Sequence, residues 1–246
     1  MMTPGENALI ARIREASSED LQDLVDRNLE NLTVAEARQV LKSSFVTSKI
    51  IESILTQKRL LTFQEIRGDV VRNPRTPEIH ALRFVAGLFW RDLVAIGGDI
   101  RVRPRVRRAA ERHLVNRLQG LATGERIAIA RKAGPAIISQ LRTDKEPRVI
   151  SALLENPRLT EGSLMTLVAS ETANPKALAL VARHRKWGSR YSIRVTLCRN
   201  LRTPAQVALG LLPSLKKVDL AAVERDRKLP SSVRRRAAVL LGRSPV

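Results

Sequence analysis

The fold is decided by one stretch that occurs twice, first as "RNPRTPEIHALRFVAGLFWRDLVAIGGDIRVRPRVRRAAERHL" (residues 72–114) and again as "RNLRTPAQVALGLLPSLKKVDLAAVERDRKLPSSVRRRAAVLL" (residues 199–241). The two copies align without a gap, with Arg72 on Arg199, and 16 of the 42 positions from Asn73/Asn200 onward are identical. Chance matching at roughly one position in fifteen would give about three identities. The chain therefore carries an internal repeat, and the constant shift that places Arg72 on Arg199 is called the repeat offset below.

Shorter echoes of the same opening fill the rest of the chain, each beginning at an asparagine. The asparagines at 31, 73, 116, 156 and 200 are separated by 40 to 44 residues. A period of this length accommodates two or three helices per unit, the range of HEAT and armadillo-type solenoids.

Local signals at the starts of these units are typical of helices. Threonine–proline pairs at 76–77 and 203–204 combine an N-cap with a proline in the first turn. Thr33 and Glu36 have capping-box spacing. No alternating run of β-branched residues flanked by hairpin turns is present. The sequence predicts an all-α protein.

The element "xNPxTPxxxLxxL" followed by "VRxxA" resembles HEAT-like repeats and the leucine-rich-repeat variant of the bacterial type. The resemblance covers the chain from about Asn31 onward and implies a right-handed α-solenoid of about five repeats. Residues 1–70 would form a helical capping segment, continuous with a basic repeat array over residues 71–246. Some leucine-rich-repeat-variant proteins bind an iron–sulfur cluster through cysteines. Because Cys198 is the only cysteine, we do not expect this chain to bind such a cluster, and we expect no other metal and no cofactor. We predict that the thiol of Cys198 is buried and inert.

The charge of the chain is strongly basic and unevenly distributed. It contains 44 Lys and Arg against 24 Asp and Glu, a net charge of +20. Residues 1–70 have a net charge of −2, whereas residues 71–246 have +22. Such a field favours anionic partners, either nucleic acid or an acidic protein surface.

The first basic cluster lies at "RVRPRVRRAAERHL" (residues 101–114). A helix predicted to begin near Pro104 places Arg105, Arg108 and Arg112 on one face, within about 60° of arc. Arg101 and Arg103 directly precede it. These side chains either contact a polyanion or form an ordinary solvated helix face.

The second basic cluster is "RHRKWGSRYSIR" (residues 183–194), in which cations surround Trp187 and Tyr191. Cations can meet phosphates while a ring stacks on an exposed base. The alternative is that the two rings pack between repeats. The predicted nucleic-acid-binding residues are Arg101, Arg103, Arg105, Arg108, Arg112, Arg183, Arg185, Lys186, Trp187, Arg190, Tyr191, Arg194, Arg234 and Arg235.

Several arginines recur at the repeat offset, namely those at 72/199, 75/202 and 107/234. If the units stack regularly, each pair would lie in a row along the array. A row of guanidinium groups can follow a phosphate backbone.

The segment "LFWRDL" (residues 88–93) is similar to a feature of HEAT-like alkylpurine DNA glycosylases, which are small, basic and all-helical. The resemblance implies that Trp90 contacts the nucleotide and that Asp92 stabilises a developing cationic sugar. The internal repeat offers another interpretation. Asp92 returns as Asp219 while Trp90 is replaced by Lys217, so a helix N-cap explains both aspartates.

These observations predict a non-enzymatic α-solenoid that binds DNA or RNA through phosphates. The alternatives are a scaffold for an acidic protein and, third, a DNA-repair glycosylase, the one enzymatic function considered. The start "MMTPGENALI" lacks the pattern of a signal peptide, and runs such as "FVAGLFW" are too short to span a membrane. We expect a cytoplasmic protein, and the oligomeric state stays open.

Overall fold

The computed structural model of the chain describes residues 4–243. Within that range all the regular elements are helices, which confirms the all-α prediction. The helices are α1 (Pro4–Glu15), α2 (Ser18–Asn28), α3 (Val34–Lys42), α4 (Ser48–Thr56), α5 (Gln64–Arg72), α6 (Glu78–Val85), α7 (Trp90–Gly98), α8 (Pro104–Arg117), α9 (Thr123–Ala130), α10 (Pro135–Leu141), α11 (Pro147–Leu154), α12 (Glu161–Val168), α13 (Pro175–Arg183), α14 (Tyr191–Arg199), α15 (Ala205–Leu211), α16 (Lys217–Arg225) and α17 (Ser231–Leu240). Three short 3₁₀ turns join some of them, at Leu60–Thr62, Leu118–Gly120 and Leu212–Ser214.

The helices fall into two compact units, divided between Gln119 and Gly120. The first unit holds α1–α8 and the second holds α9–α17. The change from neutral to basic sequence near residue 70 falls inside α5.

The two units repeat the same succession of helices. Six helices of the first unit, α3 to α8, have first residues that map at the repeat offset onto the first residues of α12 to α17. The last residues of the pairs α4/α13, α5/α14 and α7/α16 match at that offset too. The duplication therefore begins by residue 34, well before the stretch in which the sequence reveals it.

Helices of 7 to 14 residues are too short to be stable alone, so each depends on burying an apolar stripe. In α4 that stripe is Ile50, Ile51 and Ile54. In α13 the three aligned residues, Ala177, Leu178 and Val181, are buried in the same way. Next-but-one helices pack together within each unit: α3 contacts α1 and α5, and α11 contacts α9 and α13.

In both units an asparagine side chain joins a turn to the C-terminal end of an earlier helix. The Nδ2 of Asn73 donates to the Leu41 carbonyl at 2.8 Å, and that of Asn200 donates to the Val168 carbonyl at 2.6 Å. Leu41 and Val168 are themselves related by the repeat offset. Each Oδ1 accepts from the backbone N–H two positions on, which closes the turn. This double use explains why the repeat opens on asparagine.

The structure separates the predicted asparagines into two groups. Asn156 is buried and makes the same kind of link, because its Nδ2 donates to the Ala130 carbonyl at 2.7 Å. Asn116 lies on the exposed surface of α8 rather than in a turn, so its assignment as the start of a repeat was wrong. Asn31 lies in the turn between α2 and α3, where its side chain is exposed.

Replacing Asn156 with alanine should lower the free energy of unfolding by about 1–3 kcal/mol, because buried backbone groups lose their partners. Asn116→Ala is the matched control and should stay within about 0.5 kcal/mol of the wild type. Urea denaturation followed by circular dichroism measures both. Equal stability of the two variants would contradict the role assigned to Asn156.

Burial should also make Cys198 unreactive in the folded protein. The thiol is 1% exposed on α14, and desolvation raises its pKa to about 12. A raised pKa leaves very little of the reactive thiolate at neutral pH. A thiol-specific reagent should therefore label the chain in denaturant and leave the native protein unlabelled over the same time. Rapid labelling of the native protein would contradict this.

Candidate nucleic-acid interface

The first basic cluster surrounds the start of α8. The helix buries Val106, Ala110 and Leu114, as its apolar pattern predicts. Arg101 lies in the turn before the helix and makes two hydrogen bonds to Asp99, at 3.0 and 2.8 Å. These bonds hold the pKa of the Asp99 carboxyl below its ordinary value. Arg101 is thus partly neutralised by its neighbour.

The remaining arginines of this cluster differ in what they contact. Arg105 lies 3.0 Å from Glu78 on α6, although its side chain stays 73% exposed. Arg103, Arg108 and Arg112 are exposed, and none of the carboxylates that the structure describes forms an ion pair with them. These three are the cations of the cluster that are available to an external anion.

The second basic cluster borders a groove in the second unit. The groove has a volume of about 730 Å³ and lies between the turn after α11 and the turn after α13. Arg183, Arg185 and Lys186 line it, as does Glu155, whose carboxylate is 3.1 Å from Nε2 of His184. Three predicted cations therefore surround one concave surface, with a single carboxylate among its lining residues.

Trp187 does not take part in that surface as predicted. The residue is 2% exposed, and its indole Nε1 donates to the Leu154 carbonyl at 3.0 Å. The Nζ of Lys186 covers the ring at 4.2 Å from its centroid. At the corresponding position of the first unit, Leu60 is fully buried. The prediction that Trp187 stacks on a base was wrong, because its ring fills the core of its unit.

Tyr191 gathers cations around one ring at the start of α14. Its hydroxyl donates to Asp219 and accepts the Lys216 backbone N–H at 2.9 Å. Lys216 Nζ and Arg194 Cζ lie 5.2 and 5.7 Å from the ring centroid. Desolvation and the bond to Asp219 raise the pKa of Tyr191. Because cations already occupy the ring, Tyr191 organises positive charge rather than presenting a bare stacking face.

The remaining predicted residues lie at the starts of α14 and α17. Arg190 is exposed, 4.0 Å from Glu161. On α17, Arg235 is exposed and Arg234 is half-buried, with its Nε enclosed by protein. Exposed cations at the end of α16, in the turn before α17 and on α17 itself were not among the predicted residues, namely Arg225, Arg227, Lys228 and Arg236. Their signal was available, since the first copy has Gly98 and Ile100 where Arg225 and Arg227 stand.

One recurring arginine pair, at positions 75 and 202, is used by the scaffold, as is Arg72 of a second pair. The guanidinium of Arg75 donates to the Val46 carbonyl at 2.6 Å, and that of Arg202 donates to the Ala173 carbonyl at 3.4 Å. These two carbonyls are also related by the repeat offset. Arg72 forms ion pairs with two aspartates. The recurrence of these arginines therefore follows from turn structure and does not by itself indicate a row of phosphate contacts.

Trp90 and Asp92, the weak catalytic candidates, lie in the first turn of α7. Asp92 is its third residue rather than its N-cap, which is Phe89, so the N-cap interpretation was wrong. The carboxylate of Asp92 is bound by the guanidinium of Arg72. Trp90 is half-buried, and Arg91 Cζ lies 5.3 Å from its ring centroid. Asp92 thus has a structural partner that links α5 to α7.

Residues 4–243 contain neither a candidate metal site nor a candidate membrane span. No cluster of three or more His, Cys, Asp or Glu side chains suited to holding a metal ion occurs there. None of the helices in this range has the length and apolar character needed to cross a membrane.

Replacing Trp187 with leucine tests its assignment to the core. The variant should fold with a free energy of unfolding lower by about 1–3 kcal/mol, since the Leu154 carbonyl loses its donor. Its affinity for oligonucleotides should match that of the wild type, whereas loss of a stacked base would cost about 1–3 kcal/mol of binding free energy. A folded variant with clearly weakened binding would restore the stacking role.

Comparison of the chain with protein-family models, with curated proteins and with solved structures gave no match in any of the three. The function is therefore inferred from the geometry and charge of the chain itself.

Proposed function

We propose that each unit is a short array of HEAT-like repeats and that the protein binds nucleic acid through its phosphates. The repeated helix bounds and the packing of next-but-one helices support the repeat architecture. The repeats bring exposed cations to helix ends and turns in both units.

One observation carries the proposal: the positive charge of the second unit is not consumed within it. Residues 120–246 contain 24 Lys and Arg against 9 Asp and Glu. Among those that the structure describes, four Lys or Arg residues form ion pairs with carboxylates, namely Arg126, Arg148, Arg190 and Arg243. The second unit therefore keeps a net charge of about +15, and most of its lysine and arginine residues are exposed. A surface of this kind gains free energy when phosphates replace its counterions, because ions are released.

The two basic clusters concentrate positive charge at particular places on the surface. In the first unit Arg103, Arg108 and Arg112 extend from α8 and the turn before it without intramolecular partners among the described carboxylates. In the second unit Arg183, Arg185 and Lys186 line a groove of about 730 Å³. Contacts of these kinds bind the backbone of a nucleic acid and do not depend on base sequence.

A second candidate function, a scaffold for an acidic protein, is favoured by the apolar residues beside the α8 cluster. Ile79 and Ile100 are 74% and 86% exposed, next to Glu78 and Arg101 in sequence. Exposed isoleucines beside Arg101 and beside the Glu78–Arg105 ion pair suit an acidic peptide with apolar side chains. Partners that stay bound to the purified protein after nuclease treatment would support this function over nucleic-acid binding.

The triple variant Arg103→Gln, Arg108→Gln, Arg112→Gln tests phosphate binding. Wild-type affinity for oligonucleotides should fall linearly with salt on a log–log plot, and the variant should reduce that slope by up to about 3 units if each arginine neutralises one duplex phosphate. Fluorescence anisotropy across a salt series measures the slope.

The matched control removes the same charge from the near-neutral segment through Lys42→Gln, Lys49→Gln and Lys58→Gln, all exposed in the first unit. This control should keep the wild-type slope. Affinity that ignores salt, or equal slopes for the two triple variants, would contradict the proposal.

A further inference from the structure

The first unit presents two phenylalanine rings at neighbouring helix starts. Phe63 directly precedes α5 and is 45% exposed, and Phe89 directly precedes α7 and is 60% exposed. The helices α5 and α7 pack against each other. The Nε2 of Gln64 donates to the Gly87 carbonyl at 3.0 Å, which ties the two turns together.

A guanidinium group lies between these turns. The Nη2 of Arg67 donates to the Thr62 carbonyl at 3.0 Å, directly before Phe63. Its Nη1 lies 3.6 Å from the position that a Cβ on Gly87 would occupy, two positions before Phe89. The local arrangement is therefore a cation flanked by the two turns that carry exposed rings.

The turn that carries Phe89 is held rigidly. The guanidinium of Arg117 donates to the carbonyls of Ala86 and Leu88, the latter at 2.7 Å. Gln64 binds the carbonyl between them. With three successive carbonyls bound by side chains from α5 and α8, the turn has little freedom to fold the Phe89 ring away from water. A backbone restrained in this way loses little conformational entropy when a ligand binds the Phe89 ring.

The same place in the second unit has different chemistry. The positions that align with Phe63 and Phe89 at the repeat offset are Arg190 and Lys216, both exposed. Arg67 corresponds to Arg194, so the guanidinium is present in both units. One duplicated site therefore combines an arginine with two apolar rings, and the other combines it with two further cations.

We infer that the site formed by Phe63, Arg67 and Phe89 binds unpaired bases, so that the protein's ligand is single-stranded nucleic acid. The inference rests on the proposed function and names its substrate class. Bases in a duplex are covered by their neighbours, whereas a single strand exposes π faces that stack on aromatic side chains. Arg67 and the exposed Arg91, two positions after Phe89, supply charge complementary to the adjoining phosphates. The corresponding site of the second unit binds phosphate alone.

The test compares a single-stranded oligonucleotide with a duplex of the same length at fixed salt. The double variant Phe63→Leu, Phe89→Leu removes both rings and keeps apolar side chains. Because each stacked base contributes a factor of about five or more in affinity, loss of both rings should weaken binding of the single strand by about 25-fold or more and leave affinity for the duplex unchanged. The control is Phe45→Leu, a 49%-exposed phenylalanine in the turn between α3 and α4. This control should bind both ligands as the wild type does.

A second variant tests the corresponding site in the second unit. Arg190→Gln with Lys216→Gln should reduce the salt slope by up to about 2 units for a duplex. It should leave the wild-type preference for single strands in place, because the rings of the first unit are unchanged.

The outcomes distinguish failure of single-strand binding at this site from failure of phosphate binding by the protein. Salt-dependent binding that is insensitive to the Phe63/Phe89 variant, or reduced equally for single strand and duplex, overturns this inference and leaves phosphate binding standing. Absence of binding to both ligands at low salt overturns the proposed function itself. A poly-glutamate peptide that binds as tightly as the single strand, and loses affinity in the same variant, would assign the site to an acidic peptide instead.

Discussion

The contact on which the structure depends is the bond between a turn asparagine and the carbonyl of a preceding helix or turn. Asn73, Asn156 and Asn200 each donate their Nδ2 to a carbonyl that is distant in sequence, and each closes its own turn with Oδ1. Short helices expose unpaired carbonyl groups at their C-terminal ends, and buried ones must find donors. The three asparagines supply these donors to carbonyls in the last turns of α3, α9 and α12.

The arginines of the chain fall into two groups. Those that recur in the turns, such as Arg75 and Arg202, donate to carbonyls of an earlier turn and belong to the scaffold. Those without a carbonyl or carboxylate within reach among the described residues, such as Arg103 and Arg108, extend into solvent. Arginine serves both purposes because its five donors satisfy carbonyl groups as readily as phosphate oxygens. The excess of positive charge in the second unit is largely of the second kind.

The duplication allows two equivalent sites of the chain to be compared. The two sites occupy positions that align at the repeat offset. Each contains one arginine, Arg67 in the first unit and Arg194 in the second, and the residues around that arginine differ. Rings at Phe63 and Phe89 favour contact with flat apolar surfaces, whereas Arg190 and Lys216 favour anions. A single strand of nucleic acid has both chemistries in every nucleotide, which is why the two sites suit the same class of ligand.

The sequence by itself determined the all-α class, the internal repeat and some helix starts, such as those of α3 and α8, because caps and apolar periodicity are local properties of the chain. At α6 and α15 the N-caps are Pro77 and Pro204, one residue after the threonines predicted for that role. It did not reveal that the duplication extends from residue 34, since only 4 of the 38 positions from 34 to 71 match those from 161 to 198. Packing preserves helix bounds through apolar volume, which many different residues can supply. Tertiary structure alone decided that Trp187 is buried, that Asn116 lies on a helix surface and that the turns carrying Phe63 and Phe89 flank Arg67. Each depends on neighbours that are distant in sequence, whose identity no local pattern contains.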